Sequence, residues 1–162
     1  MTTILAFIIV LGVIVMVHEL GHFFAARSVG VRVDRFSIGF PPRLMTITSV
    51  PNGFEIKLFF YRKDQGGKIS WGPIYNWNVK KPGHVGSGTE YCFAIIPLGG
   101  YVKMAGMIDE SMDGTIKNKP YELMSKPVWA QIWVMSAGVI MNILLAFIIF
   151  TGVVWNQGVP SP

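Results

Sequence analysis

The sequence predicts a membrane α-helical protein with a small β element. Two observations carry this prediction. The 162-residue chain is 51% hydrophobic and only 14% charged, against about 25% charged residues in an average soluble domain. Its apolar residues also concentrate in two long segments, one near each end of the sequence. We therefore expect two transmembrane helices connected by a cytoplasmic-side β-loop region.

The first segment, residues 1–28, is predicted to form a transmembrane helix. From Thr3 to Ala26 its only charged side chain is Glu19, and about 20 apolar residues suffice to cross a bilayer core. A signal peptide is the other interpretation of such a segment, but this one has no basic residues before its apolar run and no small-residue cleavage site. The second segment, residues 127–156, has no charged residue from Val128 to Trp155 and is predicted to form the second helix.

The distribution of charge predicts how the chain is oriented. All 14 lysines and arginines lie between Arg27 and Lys126, and positive residues beside transmembrane helices favour the cytoplasmic side. We expect an inner-membrane protein in which residues 29–126 are cytoplasmic and both ends are extracytoplasmic, with residues 157–162 beginning an extracytoplasmic segment. Because topology and the lipid bilayer explain the basic pI near 9.5, we expect no nucleic acid as partner. A single cysteine, Cys92, excludes an intrachain disulfide and a cysteine-based zinc site.

The region between the helices is predicted to be rich in β-strands. Residues 31–38 alternate between apolar and polar and predict a strand, which Gly39-Phe40-Pro41-Pro42 is expected to break. Two more strands are expected at 44–50 and 53–61 around the turn at 51–53. A loop is expected over 62–88, with His84 solvated there, then a strand over 89–96 that ends at Pro97 and a short helix near 121–125. An edge strand here either captures an extended substrate or belongs to a sheet that only braces the helices, and both interpretations stay open.

The motif His18-Glu19-Leu20-Gly21-His22 lies inside the first apolar segment. Residues four apart share one face of a helix, so both imidazoles can reach one metal ion while the carboxylate lies nearby. Zn²⁺ accepts imidazole nitrogens, and a neighbouring carboxylate then serves as general base toward water. Because polar groups are costly in hydrocarbon, their presence here indicates a metal, a cavity or a partner. A catalytic zinc usually has three protein ligands, so the motif supplies two of them.

Asn142 is the one strongly polar amide deep in the second segment. Two roles remain open for it: a hydrogen bond that holds the two helices together, or an amide presented to a substrate carbonyl. A metal transporter is a distant alternative, since the second segment offers no pathway of polar residues.

Several stretches, taken in order, resemble the site-2 protease family of intramembrane zinc metalloproteases, in particular its bacterial RseP-like branch. They are Val17–Phe23, Gly30–Phe40, Thr89–Tyr91, Ile96–Met104, Lys126–Trp129, Ala137-Gly138 and Met141-Asn142. The resemblance implies a zinc endopeptidase within a larger polytopic bundle, acting in regulated intramembrane proteolysis on single-span membrane proteins such as anti-sigma factors or signal-peptide remnants. It implies His18 and His22 as zinc ligands and Glu19 as catalytic base. It also implies that substrate is engaged by a re-entrant β-loop and an element near the active site, here Phe36, Gly39, Phe40 and Asn142.

The sequence departs from the family pattern in several places. The family's third ligand is an Asp in a Leu-Asp-Gly motif on a later helix; Asp113-Gly114 does not match it and is interpreted as a turn. Pro41 and Val139 stand where the family has Gly and Pro, and residues 44–88 resemble an insertion. We expect the N-terminal portion of a longer protease whose C-terminal half carries a PDZ domain and the third ligand. The alternative is a catalytically silent, truncated homologue that acts as a membrane scaffold or binding module.

Overall fold

Two long helices and one β-sheet form the protein in a computed structural model that describes residues 2–63, 69–107 and 119–158. Helix α1 spans Thr2–Ser28 and helix α2 spans Val128–Gln157. Between them lie strands β1 (Val33–Val50), β2 (Gly53–Lys63), β3 (Ile69–Lys80) and β4 (Glu90–Met104), followed by a short 3₁₀ helix at Leu123–Ser125. The two predicted helices and the predicted β element are therefore present.

Both helices are long and apolar enough to cross a membrane. The helices have 27 and 30 residues, which at 1.5 Å per residue gives lengths of about 40 and 45 Å. Both lengths exceed the roughly 30 Å thickness of a hydrocarbon core. Helix α1 ends where Gly30 takes a positive φ of 69°, a conformation that glycine adopts without steric cost. Pro127 directly precedes α2 and Gly158 follows it with a φ of 77°, as expected from residues that favour helix starts and ends.

The sheet has four antiparallel strands in the order β3-β2-β1-β4. Strands β1 and β2 pair from Met45 opposite Leu58 to Val50 opposite Gly53, and Asn52 in the intervening turn has a φ of 63°. The predicted strands at 44–50 and 53–61 and the turn between them are confirmed. Edge strand β3 pairs with β2 along its length, so the prediction of a loop over 62–88 is wrong for 69–80.

Strands β1 and β4 are both bent in the middle. Residues 35–38 pair with 100–103 and also with 90–93, and residues 90–93 pair in turn with 45–48. The bends lie near Gly39 and Gly99, whose φ angles are 89° and 156°. The expected ends of strands at Gly39–Pro42 and at Pro97 are therefore wrong, because each strand bends at these residues and continues. Proline is accommodated in a strand at such irregular positions.

Two smaller predictions also have outcomes in the described residues. The short helix expected near 121–125 is the 3₁₀ helix Leu123–Ser125. His84 lies in a loop, as expected, but is only partly exposed: its ring lies 4.5 Å from that of Phe54, centre to centre, and its Nε2 lies 2.9 Å from the hydroxyl oxygen of Ser49. Asp113-Gly114 lies outside the described residues.

The core lies where the C-terminal half of α1, the N-terminal half of α2 and the sheet meet. Its most central side chains come from all three parts: Phe23, Ala26, Val33, Phe36, Met104 and Val134. The helices approach closely at Gly21, where an added Cβ would lie 2.5 Å from the carbonyl oxygen of Ala137. Small residues allow such approaches between helices, and this crossing turns the HELGH segment toward α2.

Candidate metal centre

The helix crossing brings the two imidazoles of the HELGH segment together against α2. The Nε2 atoms of His18 and His22 lie 3.1 Å apart, and both rings are partly buried. The spacing of four residues on one helix produces this convergence, as the sequence predicts. The pair therefore presents two nitrogen donors to one point.

A hydrogen bond to α2 orients the His22 ring. Its Nδ1 lies 2.8 Å from the backbone carbonyl oxygen of Val134. A carbonyl oxygen only accepts, so Nδ1 carries the hydrogen and the Nε2 of the neutral ring keeps its lone pair. Metal-binding histidines commonly donate their second ring N–H in this way, which fixes both tautomer and orientation.

The two donor atoms fit a zinc ion. Two nitrogens about 2.0–2.1 Å from a tetrahedral Zn²⁺ are about 3.3 Å apart, close to the 3.1 Å between the two Nε2 atoms. Gly138 leaves the space open: an added Cβ would lie 2.5 Å from the Nε2 of His18 and 2.6 Å from that of His22. Within residues 2–63, 69–107 and 119–158, no group of three His, Cys, Asp or Glu side chains is placed to hold a metal. The described residues thus offer two nitrogen atoms to a metal ion, out of the three protein ligands that a catalytic zinc usually has.

Glu19 lies between the imidazole pair and strand β4, with its carboxylate close enough to His22 for an electrostatic interaction. Its carboxylate interacts with the backbone N–H of Val102, and its Cγ is 3.7 Å from the position of a Cβ added at Gly100. That distance is an ordinary van der Waals contact, and the atom that requires glycine at position 100 is the carbonyl oxygen of Ser37 in β1, which an added Cβ would overlap. The carboxylate consequently lies between the imidazole-bearing helix and an edge strand.

The bends of β1 and β4 lie against α1, near the metal centre. A Cβ added at Gly99 would be 2.8 Å from the ring of Phe40 and 3.4 Å from the side chain of Val15. Phe40 is 37% exposed, whereas Phe36 is buried with its ring centre 5.4 Å from that of Phe23. Of the residues with a predicted role in binding substrate, the structure thus places Gly39 and Phe40 at the bend and Phe36 in the core. Those roles stay predictions.

Asn142 lies one helical turn beyond Gly138 and contacts the metal centre directly. Its Nδ2 donates to the Nδ1 of His18 at 3.2 Å. Its Oδ1 is buried and is the one such side-chain oxygen or nitrogen among the described residues to lack a hydrogen-bond partner. Sequence reasoning identified Asn142 but missed the Val134 carbonyl and Gly138. Two adjacent small residues, Ala137 and Gly138, were the sequence signal that could have indicated the close contact at Gly138.

Comparison with known proteins identifies the family. The sequence profile described as peptidase family M50 matches residues 6–72 and 76–161. The chain belongs to this family, the site-2 proteases, and the resemblance noted in the sequence is confirmed.

Several bacterial relatives match over nearly the whole chain. A protein of Vibrio cholerae named as a zinc metalloprotease is 36% identical over 162 residues, 97% of this chain and 26% of the relative. Protease RseP of Yersinia pestis is 35% identical over 156 residues, 96% of this chain and 26% of the relative. Metalloprotease MmpA of Caulobacter vibrioides is 30% identical over 167 residues, 92% of this chain and 32% of the relative. The chain thus spans about a quarter to a third of the length of these relatives.

Proposed function

We propose that this protein is an intramembrane zinc endopeptidase that hydrolyses peptide bonds of single-span membrane proteins in regulated intramembrane proteolysis, with anti-sigma factors or signal-peptide remnants as substrates. One observation carries the proposal. The Nε2 atoms of His18 and His22 converge to 3.1 Å on a helix long and apolar enough to cross a membrane, and Glu19 is the residue next to His18. Relatives named as proteases support the same activity.

The roles in the site follow from its chemistry. His18 and His22 hold the zinc ion, which when bound supplies a Lewis acid toward the scissile carbonyl. Glu19 takes a proton from the attacking water and delivers it to the nitrogen of the leaving amine. Its position beside β4, near Gly100, suits a substrate held between the helix and the sheet. The surrounding apolar side chains restrict water and strengthen the electrostatic interactions of the site.

The bends of β1 and β4 are the proposed site of substrate engagement. Several apolar side chains are exposed here beside α1, namely Phe40, Phe93, Ile95, Ile96 and Leu98. An apolar, exposed β segment next to a spanning helix suits a re-entrant position in the membrane. Residues 90–93 of β4 lie between the two halves of β1, whereas residues 100–103 pair with 35–38 and form the edge. A substrate in extended form would add to this edge through its main chain, with little demand on its sequence.

The proposed setting is the bacterial inner membrane, with residues 29–126 forming a cytoplasmic-side region that re-enters the membrane at the bends and both ends of the chain outside. The helices (residues 1–28 and 127–156) are proposed as part of a larger polytopic bundle. A further C-terminal portion carrying a PDZ domain and the third zinc ligand, an Asp, is proposed to complete the centre. The greater length of the relatives supports this arrangement.

The test is cleavage of a single-span reporter protein in liposomes by the protein expressed from its natural gene. We expect the reporter to be cut within its span. Glu19→Gln should reduce the rate at least 100-fold, the usual scale of general acid–base catalysis, and should retain zinc. Glu55→Gln, which alters an acid of β2 paired with Lys57, is the matched control and should cut normally.

Cleavage by Glu19→Gln at the normal rate would refute the role of general base. A wild-type protein that binds the reporter without cutting it would support the second candidate, a membrane scaffold. The observation that favours this candidate is the presence of only two metal ligands in the described residues.

A further inference from the structure

Asn142 is a polar residue on α2, and only one of the two polar atoms of its side chain has a hydrogen-bond partner. Its Nδ2 contacts the Nδ1 of His18 at 3.2 Å, while its Oδ1 is buried and has no partner among the described residues. A buried polar atom without a hydrogen bond costs about 1–3 kcal/mol. The side chain is therefore satisfied on one side only.

With Nδ2 as donor, the polar atoms form a chain that suits the metal-free site. Asn142 donates to the Nδ1 of His18, the Nε2–H of His18 donates to the Nε2 of His22, and the Nδ1–H of His22 donates to the Val134 carbonyl. Each neutral imidazole is then donor at one nitrogen and acceptor at the other. In this arrangement the Nε2 of His18 carries a hydrogen and is not a metal ligand.

Zinc binding requires the other tautomer of His18. Its Nε2 must present a lone pair, so the hydrogen of the neutral ring moves to Nδ1. That hydrogen would then face the Nδ2–H of Asn142, and two donors would oppose each other. A half-turn of the amide exchanges its oxygen and nitrogen within nearly the same outline and removes the conflict.

We propose that Asn142 is a positioning residue for the metal centre: its Oδ1 accepts a hydrogen bond from the Nδ1–H of His18 and so holds the Nε2 lone pair toward the metal. The inference rests on the proposed zinc site and assigns a role different from contact with substrate. In the metal-bound state Oδ1 then has a hydrogen bond, and Nδ2 takes the buried position that Oδ1 holds in the metal-free arrangement. The amide thereby does for the Nδ1 of His18 what the Val134 carbonyl does for that of His22, beside the Gly138 backbone, which also interacts with the His18 ring.

Two substitutions of Asn142 separate this role from the others. Asn142→Asp keeps an acceptor and removes the donor, so it should hold the Nδ1–H tautomer and bind zinc at least as tightly as the wild type. Asn142→Leu has a similar size and no acceptor, and should bind zinc about 10- to 100-fold more weakly, as is typical when the partner of a metal-binding histidine is lost. Ser136→Ala is the control, because its hydroxyl donates only to the carbonyl oxygens of Ile132 and Trp133 on the same helix.

The experiment measures zinc affinity by competition with a chelator, on the detergent-solubilised protein expressed from its natural gene, for the wild type and the three variants. We expect Ser136→Ala to have the zinc affinity of the wild type, Asn142→Asp to match or exceed it, and Asn142→Leu to fall well below it. Wild-type affinity in Asn142→Leu would overturn the proposal. So would equal losses in Asn142→Asp and Asn142→Leu, since a substrate-binding or purely structural amide predicts no advantage for an acceptor.

A second readout needs neither zinc nor the leucine variant. Nitrogen NMR of ¹⁵N-histidine-labelled, metal-free Asn142→Asp should show His18 protonated at Nδ1, because a carboxylate only accepts. Protonation at Nε2 would overturn the inference even if Asn142→Leu does not fold. Failure of the wild type to bind zinc would instead refute the proposed metal centre, and the tautomer measurement would still judge the role of Asn142.

Discussion

The substitution Gly138→Ala tests whether the space between the imidazoles and α2 belongs to a metal centre. The new Cβ would lie 2.5 Å from the Nε2 of His18 and 2.6 Å from that of His22, whereas van der Waals contact needs about 3.5 Å. The new methyl group would therefore overlap each of the two metal-binding Nε2 atoms by about 1 Å. Overpacking of this kind costs about 1–3 kcal/mol, which corresponds to about 5- to 150-fold weaker zinc binding.

Thermal stability should change much less than zinc affinity. Without metal the imidazoles can move away from the methyl group by giving up hydrogen bonds to each other, to Val134 and to Asn142. The preference of about 1 kcal/mol for alanine over glycine in a helix interior offsets part of that cost. Zinc competition titration and thermal unfolding by circular dichroism measure the two effects. Gly152→Ala is the matched control, because an added Cβ there meets nothing within 4 Å. Unchanged zinc affinity in Gly138→Ala would refute the reasoning.

Three further predictions concern packing, reactivity and topology. Gly21→Ala should lower the unfolding midpoint by about 2–4 °C per kcal/mol lost, because the added Cβ would lie 2.5 Å from the Ala137 carbonyl oxygen; an unchanged midpoint would contradict the close helix approach. Cys92 is buried and burial raises the pKa of its thiol, so a maleimide at pH 7 should label it only after denaturation, and rapid labelling of the folded protein would contradict its burial. In intact spheroplasts an impermeant maleimide should label Gln157→Cys but not Val85→Cys, whose native side chain is 89% exposed; the reverse pattern would invert the proposed topology.

The helices were predictable because length and apolarity alone define a spanning segment. The predicted ranges 1–28 and 127–156 differ by a residue or two from Thr2–Ser28 and Val128–Gln157. The turn at Asn52 was also predictable, since its Pro-Asn-Gly sequence favours a positive φ.

Strand β3 was missed because its sequence contains glycine, proline and asparagine, which are typical of loops. Its pairing with β2 depends on main-chain hydrogen bonds that composition does not reveal. A signal was nonetheless present: Trp71, Tyr75, Trp77 and Val79 occupy alternate positions, as β-favouring residues do in a strand. The bends in β1 and β4 were missed because proline was interpreted as ending a strand.

The part of the candidate site that lies on α1 was predictable, whereas the part that α2 contributes was not. The spacing of His18 and His22 on one helix fixes their convergence. The partners that α2 contributes depend on which turn of α2 faces α1, and that register is set by the close approach at Gly21. The Val134 carbonyl in particular cannot be recognised from the sequence, because every residue carries the same backbone carbonyl whatever its side chain.

Zinc content tests the central claim most directly. Elemental mass spectrometry on the protein expressed from its natural gene and purified in detergent should find close to one zinc per chain in the wild type, and loss of that zinc in the double variant His18→Ala/His22→Ala. The double variant should retain its helices, because the core of Phe23, Ala26 and Val134 is unchanged. Equal zinc content in the two proteins, or none in either, would contradict a metal centre at the HELGH segment.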